Sequence, residues 1–399
     1  MRAVVSPTSR SCAVCEEVAL TAADQIEVRD STLARAFERT RRIPMATFVE
    51  RYIDGSLAVE GDLHEVIRQR DQWASYRFTW EQAKFVLTRF IPSVLIHSKA
   101  ADREFVVGHY DRGNDFFEHF LGPSMVYTSA VFGSRDEDLE SAQMRKIRRV
   151  GDQLQLQRGQ RLLDIGCGWG TLAAVLAEER GVDATGVTLS TNQAEFASRL
   201  IAGRGLQQTA RVLTLDYRDI PATRWNAISC LEMAEHVGVR KFQRFLRQVS
   251  DLLEDDGLFF LQIVALRRPP EALFFRNDRG GYWNAADFTW AMFMSKYIFP
   301  GADASLPLSF VSSQLERAGF EIRHIDNVNV HYGMTIHRWY RNWERNREAV
   351  IEAYGERWYR LWHLFLAWSV FTGEEGRGDC LQITSHKSRR SFDRSRFVG

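Results

Sequence analysis

The most chemically suggestive stretch of the chain is Leu162-Leu163-Asp164-Ile165-Gly166-Cys167-Gly168-Trp169-Gly170-Thr171, in which glycine occupies alternate positions. An apolar run leads into the glycines and an amphipathic run leaves them, which is the order of a strand, a tight turn and a helix. Glycine at 166, 168 and 170 lets the backbone turn sharply and approach a ligand more closely than side chains would allow. Position 171 is Thr, so the GxGxxG spacing of dinucleotide-binding turns is absent. Asp164, just ahead of the first glycine, favours a ligand with a cationic end. S-adenosylmethionine, whose amino-acid end carries an ammonium group, fits that requirement; a glycine turn with no ligand is the plainer alternative.

Such a turn needs a sheet to hold it. From residue 161 short β-type runs at 161–165, 183–189, 210–215, 227–231 and 258–264 alternate with amphipathic stretches, with helices expected to start near Gly170, Thr191 and Val239. The alternation predicts a doubly wound, Rossmann-like α/β domain, whose ligands sit beyond the carboxyl ends of the strands. Residues 188–193 and 216–219 should therefore line the same crevice as the glycines. There Tyr217 could stack on an adenine or simply pack as a half-buried aromatic, while Asp216 or Asp219 caps a turn. Later segments read as a helix at 308–319, a strand at 320–328, two aromatic-rich helices across 335–371 parted near Gly355, and a closing strand at 380–384. The expected organisation is a flexible arm over 1–30, a small helical lobe over 31–104 and a catalytic domain over 105–399 with an insertion at about 266–330. Residues 267–287, with two prolines and the Gly280-Gly281 pair, read as a loop, either a lid or a surface insertion.

Composition narrows the partners. Fifty-two basic residues against 51 acidic ones leave a net charge of +1, which gives no global attraction to nucleic acid. Local basic clusters, Arg39, Arg41 and Arg42 or Lys387, Arg389, Arg390 and Arg394, could meet anionic lipid head groups or be solvated surface charge. Five scattered cysteines do not make a disulfide framework and favour a reducing, cytoplasmic setting. Cys12 and Cys15 lack a second ligand pair at finger spacing, so no metal site is expected. The longest apolar candidate, 361–371, is interrupted by His363 and too short to span a bilayer, so membrane contact should be peripheral.

Beyond the turn, the chain resembles the cyclopropane fatty acyl phospholipid synthase and mycolic acid methyltransferase family. The resemblance runs from about residue 107 to 383. Its motifs are His109-Tyr110-Asp111-Arg112-Gly113-Asn114-Asp115-Phe116-Phe117, the stretch around Tyr127, the glycine turn, Gly186-Val187-Thr188-Leu189-Ser190, Asp216-Tyr217-Arg218-Asp219, Glu235-His236-Val237-Gly238 and Lys296-Tyr297-Ile298-Phe299-Pro300. The run Cys230-Leu231-Glu232-Met233-Ala234-Glu235-His236-Val237-Gly238-Val239-Arg240 is most similar to the sphingolipid C-9 methyltransferase branch. The resemblance implies a class I S-adenosylmethionine-dependent methyltransferase with helical lid and C-terminal elements. It also implies Tyr127, Thr128, Gly166, Gly168, Thr188, Leu189, Gln193, Tyr217 and Arg218 as cofactor contacts, in addition to Asp164. In the cyclopropane synthases a bicarbonate ion acts as base, held by a cysteine, a glutamate, a histidine and a tyrosine. Glu235 and Tyr332 match two of these, but Ser129 stands at the cysteine position and Gln262 at the histidine position. Two altered ligands predict a weakened anion site and count against ring closure.

The activity so implied is methylation of a double bond in an unsaturated lipid chain, first a sphingoid base, then precursors of methyl-branched, methylene or furan fatty acids, then a cyclopropane. An alkene is a weak nucleophile, so the site must align it with the sulfonium methyl and exclude water. Aromatic faces from Tyr282, Trp283, Phe288, Trp290, Phe293, Tyr297, Tyr332 and Trp339 could stabilise positive charge, Tyr332 being the one expected at the reacting carbons. Glu235 is the candidate to hold or act as the base, and His236 reads as structural. Small-molecule N-methylation and a non-catalytic lipid carrier are the readings from other classes. Expected partners are the lipid, a membrane surface and, as an open alternative, a second copy of the chain.

Overall fold

The computed structural model describes residues 21–40, 42–77, 80–90, 112–266, 285–300, 306–376 and 378–398. Expectations on Cys12 and Cys15, Arg41, the start of the His109 motif, Tyr282, Trp283 and the 267–287 loop as far as residue 284 lie outside these residues.

Strands over Ile26–Val28 (β1) and Leu57–Val59 (β3) pair antiparallel, and Ile43–Pro44 (β2) pairs parallel with Ala74–Ser75 (β4). Between them run the helices Ser31–Thr40, Met45–Ile53 and Leu63–Arg68. The N-terminal lobe is thus helix-rich with two small ladders, and β1 lies inside the stretch read as an arm. Its ladders are short because each joins only two or three residues between turns.

The seven-stranded sheet contains Arg161–Ile165 (β5), Asp183–Thr188 (β6), Ala210–Thr214 (β7), Trp225–Leu231 (β8), Leu253–Leu266 (β9), Phe320–Asn327 (β10) and Gly378–Lys387 (β11), in the order β10-β11-β9-β8-β5-β6-β7. Strands β5 to β9 pair parallel, whereas β11 runs antiparallel to both β9 and β10. The last strand therefore enters between two others instead of adding at the edge. Helices start at Thr171, Thr191 and Val239, matching the expected positions. The helix Val239–Leu252 buries Phe242, Phe245, Leu246, Val249 and Leu252, a one-sided stripe facing the sheet. Downstream of β10 the two expected helices are three, Asn329–Arg345, Arg347–Tyr354 and Glu356–Glu374, because the chain breaks at Asn346 as well as at Gly355.

The stretch 361–371 lies inside Glu356–Glu374 and is almost entirely buried. Its apolarity serves the core, and among the described residues no helix is long and apolar enough to cross a membrane. One hydrophobic cluster joins Phe48 and Trp73 of the N-terminal lobe to Phe116, Phe117 and Phe120 and to Trp343, Trp362 and Phe365. Trp362 sits at its centre, with ring centroids 5.0 Å from Phe116, 5.2 Å from Phe120 and 5.3 Å from Phe365. The C-terminal basic cluster is divided, with Arg389 and Arg390 exposed and the other two engaged. Lys387 is buried with Nζ donating to the Leu253 carbonyl, and Arg394 is paired with Glu321. Burying Lys387 without a partner would cost too much, so the strand end supplies one.

Trp362→Ala leaves a large void where rearrangement is restricted on every side. A loss of about 3–5 kcal/mol is expected, measured as a lower urea midpoint with an unchanged slope.

Candidate active site

The strand order reverses between β5 and β8, and ligands of open α/β sheets bind at that switch. A cavity lies there. Its lining includes Tyr127, Thr128, Asp164, Gly166, Gly168, Thr188, Leu189, Gln193, Tyr217 and Arg218, so all ten positions named as cofactor contacts from the sequence meet on one surface.

The glycine turn is left-handed at Gly166, Gly168 and Gly170, with φ of +79°, +52° and +79°. Gly166 and Cys167 both donate their N–H groups to the Val187 carbonyl of the neighbouring strand, which pins the turn against β6. A methyl group on Gly166 would lie 2.5 Å from Met233, and one on Gly170 2.6 Å from Ala197, whereas Gly168 faces open space. Two of the glycines thus allow close packing of the backbone, and the third leaves room for a ligand. Across the cavity the Thr188 hydroxyl donates to Gln193 Oε1 at 2.6 Å, fixing that amide at the start of its helix. Asp216 caps the short turn Tyr217–Asp219 and holds the Arg218 guanidinium at 2.6 Å, while the Tyr217 ring meets Phe245 edge-on at 5.3 Å. Asp164 is buried and accepts from the Ser229 hydroxyl at 2.7 Å; burial pushes its carboxyl up to about 6, opposed by that hydrogen bond and by the charge of Lys146. These groups fit S-adenosylmethionine: an open glycine cradle, an acidic group beside it, and hydroxyl, amide and aromatic groups opposite.

The four residues named as catalytic gather behind this cavity. Ser129, Glu235 and Gln262 are buried, and Tyr332 is half-buried on the helix Asn329–Arg345. Glu235 Oε1 accepts the Val264 N–H at 2.6 Å, and its Oε2 has no hydrogen-bond partner among the described residues. Burial first, and the nearby Glu232 charge second, push Glu235 up to about 8. Burial and the same charge also raise the Tyr332 phenol. His236, read as structural, lines the cavity with its ring edge-on to Phe299 at 6.2 Å. Phe299 in turn lies 6.4 Å from Tyr127, so aromatic side chains border the cofactor cavity on that side.

Sequence reasoning passed over the residue that organises this region. Glu232 directly follows β8, lines the cavity, and accepts from Ser129 N–H at 2.8 Å and Gln262 Nε2 at 2.6 Å. Burial raises its carboxyl, while those donors and Lys146 oppose the rise. Lys146 is itself buried, pushed down by desolvation, and held by the Thr128 hydroxyl at 2.8 Å. A signal for Lys146 existed: it shares the face of Leu139–Gln153 that carries Leu139, Ala142, Ile147 and Val150, where a lysine is out of place unless it has work to do. Glu232 had a weaker signal, a carboxylate at the carboxyl end of a buried strand. Bicarbonate, whose site the sequence already marked as weakened, does not fit this geometry. Ser129 and Gln262, the two altered ligands, both direct their donors to the Glu232 carboxylate, and a second anion beside it would be repelled.

Comparison with known proteins agrees with the cavity. The family model of mycolic acid cyclopropane synthetase matches residues 97–383. The chain is 44% identical over 384 residues to the sphingolipid C9-methyltransferase of Komagataella phaffii, covering 94% of this chain and 76% of that one. It is 46% identical to sphingolipid C9-methyltransferase 2 of Gibberella zeae, covering 90% and 67%. Among solved structures, the mycolic acid cyclopropane synthase CmaA1 complexed with SAH and CTAB superimposes with a TM-score of 0.66 at 27% identity, over 73% of this chain and 100% of the other.

Gly166→Val would drive a branched side chain into Met233 from a left-handed backbone. Affinity for S-adenosylhomocysteine, measured by calorimetry, should fall by about tenfold or more, the equivalent of about 1.4 kcal/mol. A second expectation concerns pH. The folded chain holds the Glu235 proton more tightly than the unfolded chain does. Its stabilising contribution is complete below the ordinary value of 4.5 and lost as pH rises through about 8. Urea midpoints taken at about pH 5 and about pH 9 should fall more for the wild type than for Glu235→Gln.

Proposed function

The chain belongs to the mycolic acid cyclopropane synthetase family and is an S-adenosylmethionine-dependent methyltransferase, and on that premise we propose that it methylates a carbon–carbon double bond within a lipid chain, most closely a sphingoid base. The observation that carries this reading is the juxtaposition of the cofactor cavity with an aromatic border and a pair of buried carboxylates just beyond one strand end. Hydrocarbon chemistry through a cation needs that combination. The names of the relatives, which are 42–46% identical sphingolipid C9-methyltransferases, support the sphingoid base over an acyl chain.

When bound, S-adenosylmethionine supplies an electrophilic methyl group on a positively charged sulfur. Asp164 and the glycine turn would hold its amino-acid end, and Thr188, Gln193, Tyr217 and Arg218 its nucleoside. Tyr127, Phe299 and Tyr332 exclude water from the reacting carbons and offer π-faces to the cation that forms on the chain. Glu235 keeps its proton at neutral pH because it is buried beside a second carboxylate, so it lacks there the charge that a base needs. The donors of the bicarbonate site being engaged by Glu232, the product is a methyl-branched alkene in preference to a cyclopropane. Trp80 and Leu87, both exposed on the turns Trp80–Phe90, offer an apolar contact to the membrane from which such a substrate must come.

The test is mass spectrometry of lipids from a host that contains unsaturated sphingoid bases, expresses the chain and is fed deuteriomethyl methionine. A sphingoid base gaining a methyl group with all three deuteriums is the expected result. Retention of two would mean ring or methylene formation, and label confined to amines would replace the reading with N-methylation.

A further inference from the structure

Glu232 is built into its place at some cost. Its φ is +50°, a left-handed backbone that glycine adopts freely and glutamate does not. The turn directs the carboxylate into three donors that come from three different parts of the chain: the Ser129 N–H, the Gln262 side-chain amide and the Cys380 thiol, the last at 3.8 Å. All three reach Oε1, which fixes the group in one orientation. The Gln262 amide is fixed in turn, because its Oε1 accepts from Gln382 Nε2 at 2.9 Å across the directly paired residues of β9 and β11. A flipped amide would set oxygen against oxygen. Ser129 contributes only its backbone N–H, its hydroxyl being turned to the Ala130 carbonyl. Unlike Glu235, which is buried away from the cavity lining, Glu232 belongs to the wall of the cofactor cavity, together with Asp164 and Lys146.

We propose that Glu232 is the base of the reaction, a carboxylate of the chain itself seated on donors that would otherwise hold an external anion. The proposal rests on the alkene-methylation reading above. The π pair of the double bond forms the new carbon–carbon bond to the methyl group, and the carbon–sulfur bond breaks with its electrons remaining on sulfur. The neighbouring chain carbon is left positive. Glu232 takes a proton from the chain carbon beside it, the electrons of that C–H bond restore a double bond, and the carboxylate becomes a carboxylic acid. Lys146, Asp164, Glu235, Cys380 and Tyr332 are the ionisable groups that surround it. A base fixed in the cavity wall would take a chain proton, where a mobile anion could reach the new methyl.

The experiment compares the wild type with Glu232→Gln, which keeps the shape, and Glu232→Gly, which relieves the left-handed backbone. Calorimetry with S-adenosylhomocysteine establishes that each variant binds the cofactor product. Expected are a fall in lipid methylation by about a hundredfold or more in Glu232→Gln, and turnover of the wild type unchanged in carbonate-free buffer. A second readout is line broadening of ¹³C-bicarbonate in NMR, absent with the wild type and present with Glu232→Gly, whose activity formate then restores in part. Methylation within a few-fold of wild type in Glu232→Gln would overturn the role, as would equal bicarbonate broadening by wild type and Glu232→Gly. A wild type that methylates no lipid would instead remove the substrate reading, and this role with it.

Discussion

Asp164 and Glu232 stand at the carboxyl ends of two adjacent strands, with Glu235 three residues further on and Lys146 reaching them from the helix Leu139–Gln153, and burial penalises every charged form. Much of the surrounding structure exists to make that tolerable. Ser229 and Thr128 lend hydroxyls, Ser129 and Val264 lend backbone N–H groups, and Gln262 and Gln382 pass an amide relay from one strand to the next. The provision is uneven. Glu232 receives three donors and Glu235 one, so burial, which raises both carboxyls, is opposed more strongly at Glu232 although they stand three residues apart.

Holding such a cluster requires a frame that does not yield. The aromatic core supplies it: Phe117 and Phe120 touch both Trp362 and Tyr127, so the helix Asn114–Leu121 links the packed interior to the cavity wall. Trp169, from the glycine turn, packs on Phe117 and donates its indole N–H to Asn114 at 2.7 Å. The ligand turn and the hydrophobic core are therefore one packing problem, and a change of volume in the core is felt at the cofactor.

This division also explains what could be read from the sequence. The glycine turn, the alternation of strands and helices, and the helix starts at 171, 191 and 239 are local patterns of spacing and turn chemistry, and the structure follows them. So does the meeting of Asp164 and the glycine turn with residues 188–193 and Tyr217 and Arg218, since strand ends of a doubly wound sheet share one edge; Tyr127 and Thr128, which lie off the sheet, were named only through the family resemblance. Glu232 was not legible in this way. Its significance comes from Gln262, Cys380 and Gln382, which the pairing of β9 with β11 brings together, and from Ser129, a residue off the sheet and far away in sequence. The position of β11 was hidden for a similar reason: its composition marks a strand, but nothing local says that it enters between β9 and β10. Lys387 misled because a run of basic residues looks solvated until the carbonyl that receives its ammonium is known.

The position of β11 separates two tasks within one site. The cavity is lined by residues that precede β9, whereas two members of the relay behind it, Cys380 and Gln382, sit on β11. A change that loosens β11 would therefore free the Glu232 carboxylate while leaving the glycine turn pinned to β6, so the cavity and the group set in its wall answer to different parts of the sheet.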